Sequence, residues 1–347
     1  KANAYGHGVL PIARTALQAG VKMLAVHRLI EGLELRRGGI DAPVLLMGYT
    51  PAEGASLAVE ARLTTTITTL RTARALSAAA CRMGVSHPVH LKVDTGMSRF
   101  GLFPHEVVDF IKQAASLPGL AVEGIFTHFA TADWRDQTQV RGQLALFNQV
   151  LERLAQAGYT FRVVHIANSA GAVTLPEARY TAIRLGVAMY GLQPSGEWRM
   201  PFALRPALSL KSRVSRVFDL PVGAGVSYGR TFVTQRPTRA ALVPVGYGDG
   251  YPRSLSNRGV VLIRGVRVPI IGRICMDQFV VDVTSCPGVE QDDEVVLIGT
   301  QAGDAITAEE VAELAGTINY EITTSLSPRV ARVYHQGRSI FGHPQFQ

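Results

Sequence analysis

Cysteine is scarce in this chain, and basic residues never gather into a block. Among 347 residues there are three cysteines, Cys81, Cys275 and Cys286. They are odd in number and lack metal-type spacing. That argues against a disulfide-stapled scaffold and a cysteine-built metal centre, and it reads as reduced thiols in a cytoplasmic protein. No uninterrupted apolar run approaches the roughly 20 residues that span a bilayer, and no signal peptide is visible. The formal net charge is +8, yet Lys and Arg are scattered without interleaved aromatics, so nucleic acid is not an expected partner. Arg36-Arg37 is the one adjacent pair and reads as a solvated helix end. A basic balance can still help draw an anionic cofactor or substrate. There is no repeat and no low-complexity tract.

What is present is ample apolar material. Hydrophobic residues make up 47% of the chain and charged residues 18%, the signature of a globular protein with a large core. The length suggests two domains. In the first half, short apolar strands alternate with helical patterns. Expected strands are Met23–Leu29, Pro43–Gly48, Leu63–Thr68, Val89–Asp94, Val122–His128, Val163–Asn168 and Ala182–Gly186. Expected helices between them include Leu10–Ala19, Leu70–Met83, Pro104–Ser116 and Gln137–Ala157. Near-continuously apolar strands alternating with helices imply a buried parallel sheet. The count is seven, one short of a TIM (β/α)8 barrel. Neither an initiator Met nor a strand precedes Lys1, so the expectation is a barrel whose first strand is missing.

From Pro194-Ser195-Gly196 the texture changes. Short β-rich segments follow: Ala207–Asp219, Ala240–Val245, Val260–Ile263, Val268–Ile271, Phe279–Val283 and Glu294–Ile298. Gly and Pro separate them, as in an antiparallel barrel or sandwich. Thr307-Ala308-Glu309-Glu310 has capping-box spacing at the start of a helix. The expected domains are residues 1–203, a barrel, and residues 204–347, mainly β.

In a parallel barrel, functional groups collect just beyond the C-terminal strand ends. Those positions read Lys92-Val93-Asp94-Thr95-Gly96-Met97-Ser98-Arg99, Thr127-His128-Phe129, His165-Ile166-Ala167-Asn168-Ser169 and Arg184-Leu185-Gly186-Val187. One such polar group is ordinarily a satisfied core residue. Four successive strand ends make a site. The chain itself opens on Lys1-Ala2-Asn3-Ala4-Tyr5-Gly6-His7-Gly8. A lysine at the mouth of a glycine-punctuated turn can condense with an aldehyde cofactor. Tyr5, at the start of what reads as a helix, is placed to hold a phosphate.

The octet resembles the pyridoxal-phosphate (PLP) motif of alanine racemases, and the resemblance runs almost to the end of the chain. Val226-Ser227-Tyr228-Gly229-Arg230-Thr231, Gly246-Tyr247-Gly248-Asp249-Gly250-Tyr251-Pro252-Arg253, Gly272-Arg273-Ile274-Cys275-Met276-Asp277-Gln278 and Ile318-Asn319-Tyr320-Glu321 fall in the family's order. The resemblance implies a cytoplasmic homodimer that interconverts L- and D-alanine with PLP, supplying D-alanine for peptidoglycan. Two catalytic bases are implied: Lys1, which also carries the cofactor, and Tyr228 from the partner subunit, one for each face of the substrate. His128 is implied as proton partner of Tyr228. Tyr5, Asn168, Ser169, Tyr320 and the backbone of Gly186 and Val187 belong with the cofactor, chiefly its phosphate. Arg184, braced by His165, would hydrogen-bond the pyridine nitrogen without giving up its proton. Arg99 would reach the cofactor's phenolic oxygen and the substrate carboxylate, Met276 would donate its backbone N–H there, and Asp277 would lie beside it. Asp133, Tyr247, Arg253 and Arg273 would line the entrance. Lys92 is carboxylated in many family members; the plainer reading is a buried lysine paired with Asp94.

Other readings stay open at this point. A serine or broad-specificity racemase would use the same scaffold, because a methylene is worth only about 1–3 kcal/mol. A PLP-dependent decarboxylase would not need Tyr228. A single-domain PLP-binding protein would lack the second half. An inactive truncated remnant would bind PLP weakly or not at all.

Overall fold

The computed structural model describes residues 1–336 and 339–341. The chain divides into two compact units. Unit one comprises Lys1–Ala4, Gly8–Met189 and Pro194–Ala203; unit two comprises Tyr5–His7, Tyr190–Gln193 and the chain from Leu204 onward. Among the described residues, no helix is long and apolar enough to cross a membrane.

Unit one is a strand–helix alternation of TIM-barrel type. Its strands are β1 Leu24–Val26, β2 Val44–Leu46, β3 Thr64–Ile67, β4 His87–Lys92, β5 Leu120–Phe126 and β6 Val163–His165. They pair in sequence order, all parallel. The helices of six residues or more are α1 Val9–Gln18, α2 Leu29–Arg37, α3 Ala55–Glu60, α4 Leu70–Met83, α5 Val107–Ala115 and α6 Thr138–Gln156. Every residue of β2 and β3 is buried, which is why the strands read as continuous runs instead of alternating. The outer layer packs alanines and leucines of α4 (Ala73, Leu76, Ala79, Ala80) and Val107, Ile111 and Ala114 of α5 into one core. α4 begins where Thr69 accepts the Thr72 N–H and stops at Gly84 in the left-handed conformation, the expected start and end signals.

Six strands form where seven were expected. Ala182–Gly186 is not a strand. Its stretch of chain meets the end of β6 through two isolated bonds, Thr181 N–H to Val164 O and Arg184 N–H to Ala167 O. Two widely spaced bonds hold the segment in place without making a ladder.

Unit two is antiparallel. Its strands include β7 Leu210–Arg213, β8 Arg216–Leu220, β9 Gly225–Val226, β10 Phe232–Val233, β11 Thr238–Val243, β12 Val260–Ile263, β13 Val266–Ile271, β14 Phe279–Asp282, β15 Glu294–Gln301 and β16 Asp304–Ile306. The sheet order is β16-β15-β12-β13-β14-β11-β8, with β7 also on β15. The expected segment Ala207–Asp219 therefore divides. β7 pairs with β15, the chain turns at Val214-Ser215, and β8 pairs with β11. One apolar run thus serves both ends of the sheet, in the manner of a barrel. α7, Ala308–Ala315, starts where Thr307 Oγ1 accepts the Glu310 N–H. The Glu310 carboxylate is committed to Arg267. α8, Asn319–Thr324, follows it.

Arg36 departs from its expected role as a solvated helix end. Its guanidinium donates to four carbonyls, those of Ala61, Ile40, Ala42 and Arg62, at 2.6–2.9 Å. It thereby ties α2 to the ends of two loops. Removing it strands acceptors that water only partly reaches. Arg36→Ala should lower stability by about 2 kcal/mol, read as a drop in the urea midpoint with unchanged slope. A shift no larger than that of Arg37→Ala would contradict this role.

Candidate active site

Arg184 is the hub of the strand-end cluster in unit one. Its Nη1 donates to His165 Nδ1 at 2.7 Å and His165 O at 3.1 Å. Its Nη2 donates to Thr127 O at 2.8 Å, and to Ile166 O and His128 Nδ1 at 2.9 Å. Its Nε bonds nothing among the described residues. Arginine only donates, so both imidazoles accept through Nδ1. Burial, reinforced by the Arg184 charge, pushes His128 down to about 3 and His165 well below its usual value. Both rings are therefore neutral and carry their proton on Nε2. Burial also lowers Arg184, but only to about 10, so it stays a cation near neutral pH.

Lys1 joins this cationic group. Burial and the charges of Arg99 and Arg184 lower its pKa, and Glu31 opposes them. A lysine so placed more readily becomes a neutral amine. The backbone after it takes an uncommon form. Ala2, Asn3, Ala4 and Tyr5 all have φ between 48° and 56°, a left-handed turn that costs roughly 1–2 kcal/mol per residue. Local bonds offset part of that cost. Glu31 accepts the Ala2 N–H at 2.6 Å, and the Asn3 carboxamide accepts the Val9 N–H at 2.8 Å. Tyr5 therefore does not begin a helix, as the sequence had suggested; α1 starts at Val9 after Gly8. Tyr5 belongs to unit two, where its ring lies 5.0 Å from that of Tyr190 and 5.8 Å from that of Tyr320.

Lys92, at the end of β4, is 8% exposed. Burial, then Arg99 and Arg184, push it down to about 8, while Asp94 pulls the other way. Its ammonium lies 4.9 Å from the Phe100 ring centre and 5.5 Å from that of Phe126. Asp94 is not free to serve as its partner alone. Its carboxylate accepts the N–H groups of Gly96, Ser98 and Arg99 at 2.9–3.0 Å. This shapes the loop that carries Arg99. Gly101 closes the loop at φ 142°, where a Cβ would sit 2.7 Å from Asp94 N. Gln143 of α6, 3% exposed, was not singled out from the sequence. It donates to His128 O at 3.0 Å and accepts the Ala130 N–H at 2.9 Å, fixing the chain after β5. Glu31 was missed too. Only its place one turn into α2 signalled a cap, since the preceding Arg28 is no capping residue.

Ser169 Oγ accepts the Gly186 N–H at 2.9 Å and the Ala188 N–H at 3.4 Å. Gly186 is thus already engaged, leaving the Ser169 hydroxyl proton and the Val187 N–H as the donors at this corner. The Asn168 carboxamide oxygen accepts the Gly171 N–H at 2.9 Å, so it caps the turn after β6. Asp133 takes the Ser195 hydroxyl on its backbone oxygen at 3.0 Å, and burial raises its carboxyl pKa.

The remaining expected residues lie in unit two, where three loops interlock. Ser227 Oγ donates to Arg273 O at 2.6 Å. The Tyr247 N–H bonds Cys275 O at 3.1 Å, and the Gly248 N–H bonds Met276 O at 2.8 Å. Arg329 joins Asp249 at 3.0 Å to Asp277 at 2.7 Å. Arg253 follows in the 3-10 turn Arg253–Leu255. Together the loops present Tyr228, Met276 and Tyr247 at 73%, 54% and 43% exposure.

Two family models cover this architecture. "Alanine racemase, N-terminal domain" matches residues 1–194, and "Alanine racemase, C-terminal domain" matches residues 207–334. The chain belongs to the alanine racemase family. It is 46% identical to the alanine racemase of Desulfosudis oleivorans over 351 residues, covering 98% of this chain and 90% of the relative. It is 47% identical to that of Carboxydothermus hydrogenoformans, covering 96% and 91%. Among solved structures, the Clostridium difficile alanine racemase superposes with a TM-score of 0.94 at 37% identity, over 98% of this chain and 89% of that one. The Bacillus anthracis enzyme, solved with bound L-Ala-P, gives 0.93 at 39%, over 98% and 88%.

In this family member the Arg99 loop depends on a carboxylate. Burial raises the Asp94 pKa, but the N–H groups of Gly96, Ser98 and Arg99 outweigh it, so the net shift is downward. Its contribution to stability is then present above the unfolded value near 3.9 and is lost as pH falls through the lower folded value. Asp94→Asn should melt below the parent at pH 7, and the gap should narrow as pH falls below about 4. An equal gap at both pH values in thermal unfolding would rule this out.

Proposed function

We propose that this chain is a PLP-dependent alanine racemase that works as a homodimer in the cytoplasm, forming D-alanine for cell-wall peptidoglycan. The observation that carries the reading is the Arg184 cluster: a guanidinium that stays charged near neutral pH with one donor left over, beside a lysine of lowered pKa. The residues fit the cofactor. Arg184 Nε–H is the donor that would meet the pyridine nitrogen. The Ser169 hydroxyl and Val187 N–H would hold the phosphate, with the hydroxyls of Tyr5 and Tyr320. When bound, PLP supplies an electron-withdrawing system that acidifies the substrate's Cα–H bond.

The protein's own groups do the rest. Lys1 Nζ would take or return the Cα proton on one face, which requires the neutral amine, and the lowered pKa brings that form closer. The hydroxyl of Tyr228 would do the same on the other face. Its high exposure within one chain suits a residue offered to a second copy. His128, neutral and protonated on Nε2, cannot take a proton on its Arg184-bonded nitrogen. Its Nε2–H would instead steady the phenolate of Tyr228. Arg184 keeps its own proton, so it would hydrogen-bond the pyridine nitrogen without protonating it, which would restrain the electron sink and favour racemisation over transamination.

Arg99 would receive the substrate's carboxylate end together with the Met276 N–H and Asp277, offered in trans by the second copy, and Asp133, Tyr247, Arg253 and Arg273 would line the entrance. Lys92 sits among Arg99, Arg184 and Lys1 with a pKa near 8, so its neutral amine is accessible for carboxylation. The resulting anion would orient Arg99. The three cysteines are free thiols, in keeping with a reducing compartment. The relatives compared are alanine racemases by name, which favours alanine over the serine, broad-specificity and inactive-remnant readings.

Borohydride treatment in the presence of PLP, followed by peptide mapping, should place the pyridoxyl group on Lys1 Nζ. A label on another lysine would overturn the assignment. Mixing Lys1→Ala subunits with Tyr228→Phe subunits should recover activity, because one of the two sites in each hybrid dimer is intact. Verified hybrids without activity would argue that Tyr228 acts within its own chain.

A further inference from the structure

Behind Arg184 a line of buried polar groups continues away from the strand ends. His165 Nε2 lies 3.0 Å from His90 Nδ1, and His90 Nε2 lies 3.5 Å from Glu123 Oε1. That last contact is a charge–dipole approach and not a formed hydrogen bond, and His90 Nε2 has no hydrogen-bond partner among the described residues. Glu123 Oε2 meets Arg162 at 2.6 Å, and the Arg162 side chain is mostly exposed. The line thus runs from a cation at the candidate active site, through two buried imidazoles, to a carboxylate at the surface.

The fold makes room for it. The His90 ring lies flat over Gly124, where a Cβ would sit 2.6 Å from three ring atoms. The β4–β5 register shifts between Val89 and His90. Phe126 stacks on His165 with centroids 4.6 Å apart.

The donors dictate one direction. Arg184 can only donate, so His165 Nδ1 accepts and its proton is on Nε2. That proton goes to His90 Nδ1, so the His90 proton is also on Nε2 and points at Glu123. We propose that Glu123 is a positioning residue for Arg184: as the carboxylate facing His90 Nε2 it reinforces the imidazole tautomers that Arg184 selects, so that His165 always presents a lone pair to the guanidinium. The proposal rests on the reading that Arg184 faces the cofactor ring. Glu123 acts at a distance, through the aim of Arg184.

Long-range 1H–15N spectra of the ring-labelled, cofactor-free chain should show His90 and His165 protonated on Nε2 alone. Signals are assigned by replacing each histidine in turn. In Glu123→Ala, both rings should show a minor population protonated on Nδ1, because only the Arg184 bond then opposes it. With PLP restored, kcat should fall about tenfold, the effect of one buried hydrogen bond, while KM for alanine stays within about twofold. An Nδ1 proton on either ring of the unaltered chain overturns the proposal, and that measurement needs no variant to fold. Glu123→Ala with parental ring signals, or with parental kcat, overturns it as well. The ring signals do not depend on PLP, so failure of the cofactor assignment would leave them intact.

Discussion

A cation taken out of water must be surrounded by acceptors, and Arg184 meets that demand with three backbone carbonyls and two imidazoles. The carbonyls belong to Thr127, His165 and Ile166, which lie at the ends of β5 and β6. The guanidinium therefore fastens the last segment of unit one where two isolated backbone bonds would otherwise be its main hold. Both histidines owe their neutral state first to burial and then to this charge. Taking Arg184 away would alter the protonation, the hydrogen bonds and the course of the chain together.

Positive charge dominates the neighbourhood. Lys1, Lys92, Arg99 and Arg184 each depress another group's affinity for a proton. The nearby carboxylates Glu31 and Asp94, held ionised by backbone N–H groups, offset only part of it. Such a pocket favours anions, which agrees with a phosphate-bearing cofactor and a substrate carboxylate.

Much of this was legible in the sequence, and the misses have physical causes. The parallel strands showed because both faces are buried, and α4 showed as a helix-length segment between two of them, though its end signals Thr69 and Gly84 went unread. Ala182–Gly186 carries the same apolar texture as a strand, but texture reports burial, and a strand also needs a neighbour to pair with. Ala207–Asp219 reads as one strand because a change of partner at Val214-Ser215 leaves the apolar run unbroken. The strand-end residues were found because position along a barrel strand predicts them. Gln143, Glu31 and Glu123 were not, since a helix face or a strand middle gives no hint that its polar group reaches functional residues. Tyr5 was misread as helical because Ala-Asn-Ala-Tyr has no glycine to announce a left-handed turn.

That turn restricts how the chain can change over time. In the left-handed region, a branched Cβ meets the backbone hard, so Val, Ile and Thr are poor residues at positions 2, 4 and 5. Asn3 is constrained from two directions, since its side chain also caps α1 through Val9. The four positions following the lysine thus offer few neutral steps. Sequence drift on this scaffold is channelled elsewhere, into exposed helix positions whose backbone is ordinary right-handed helix.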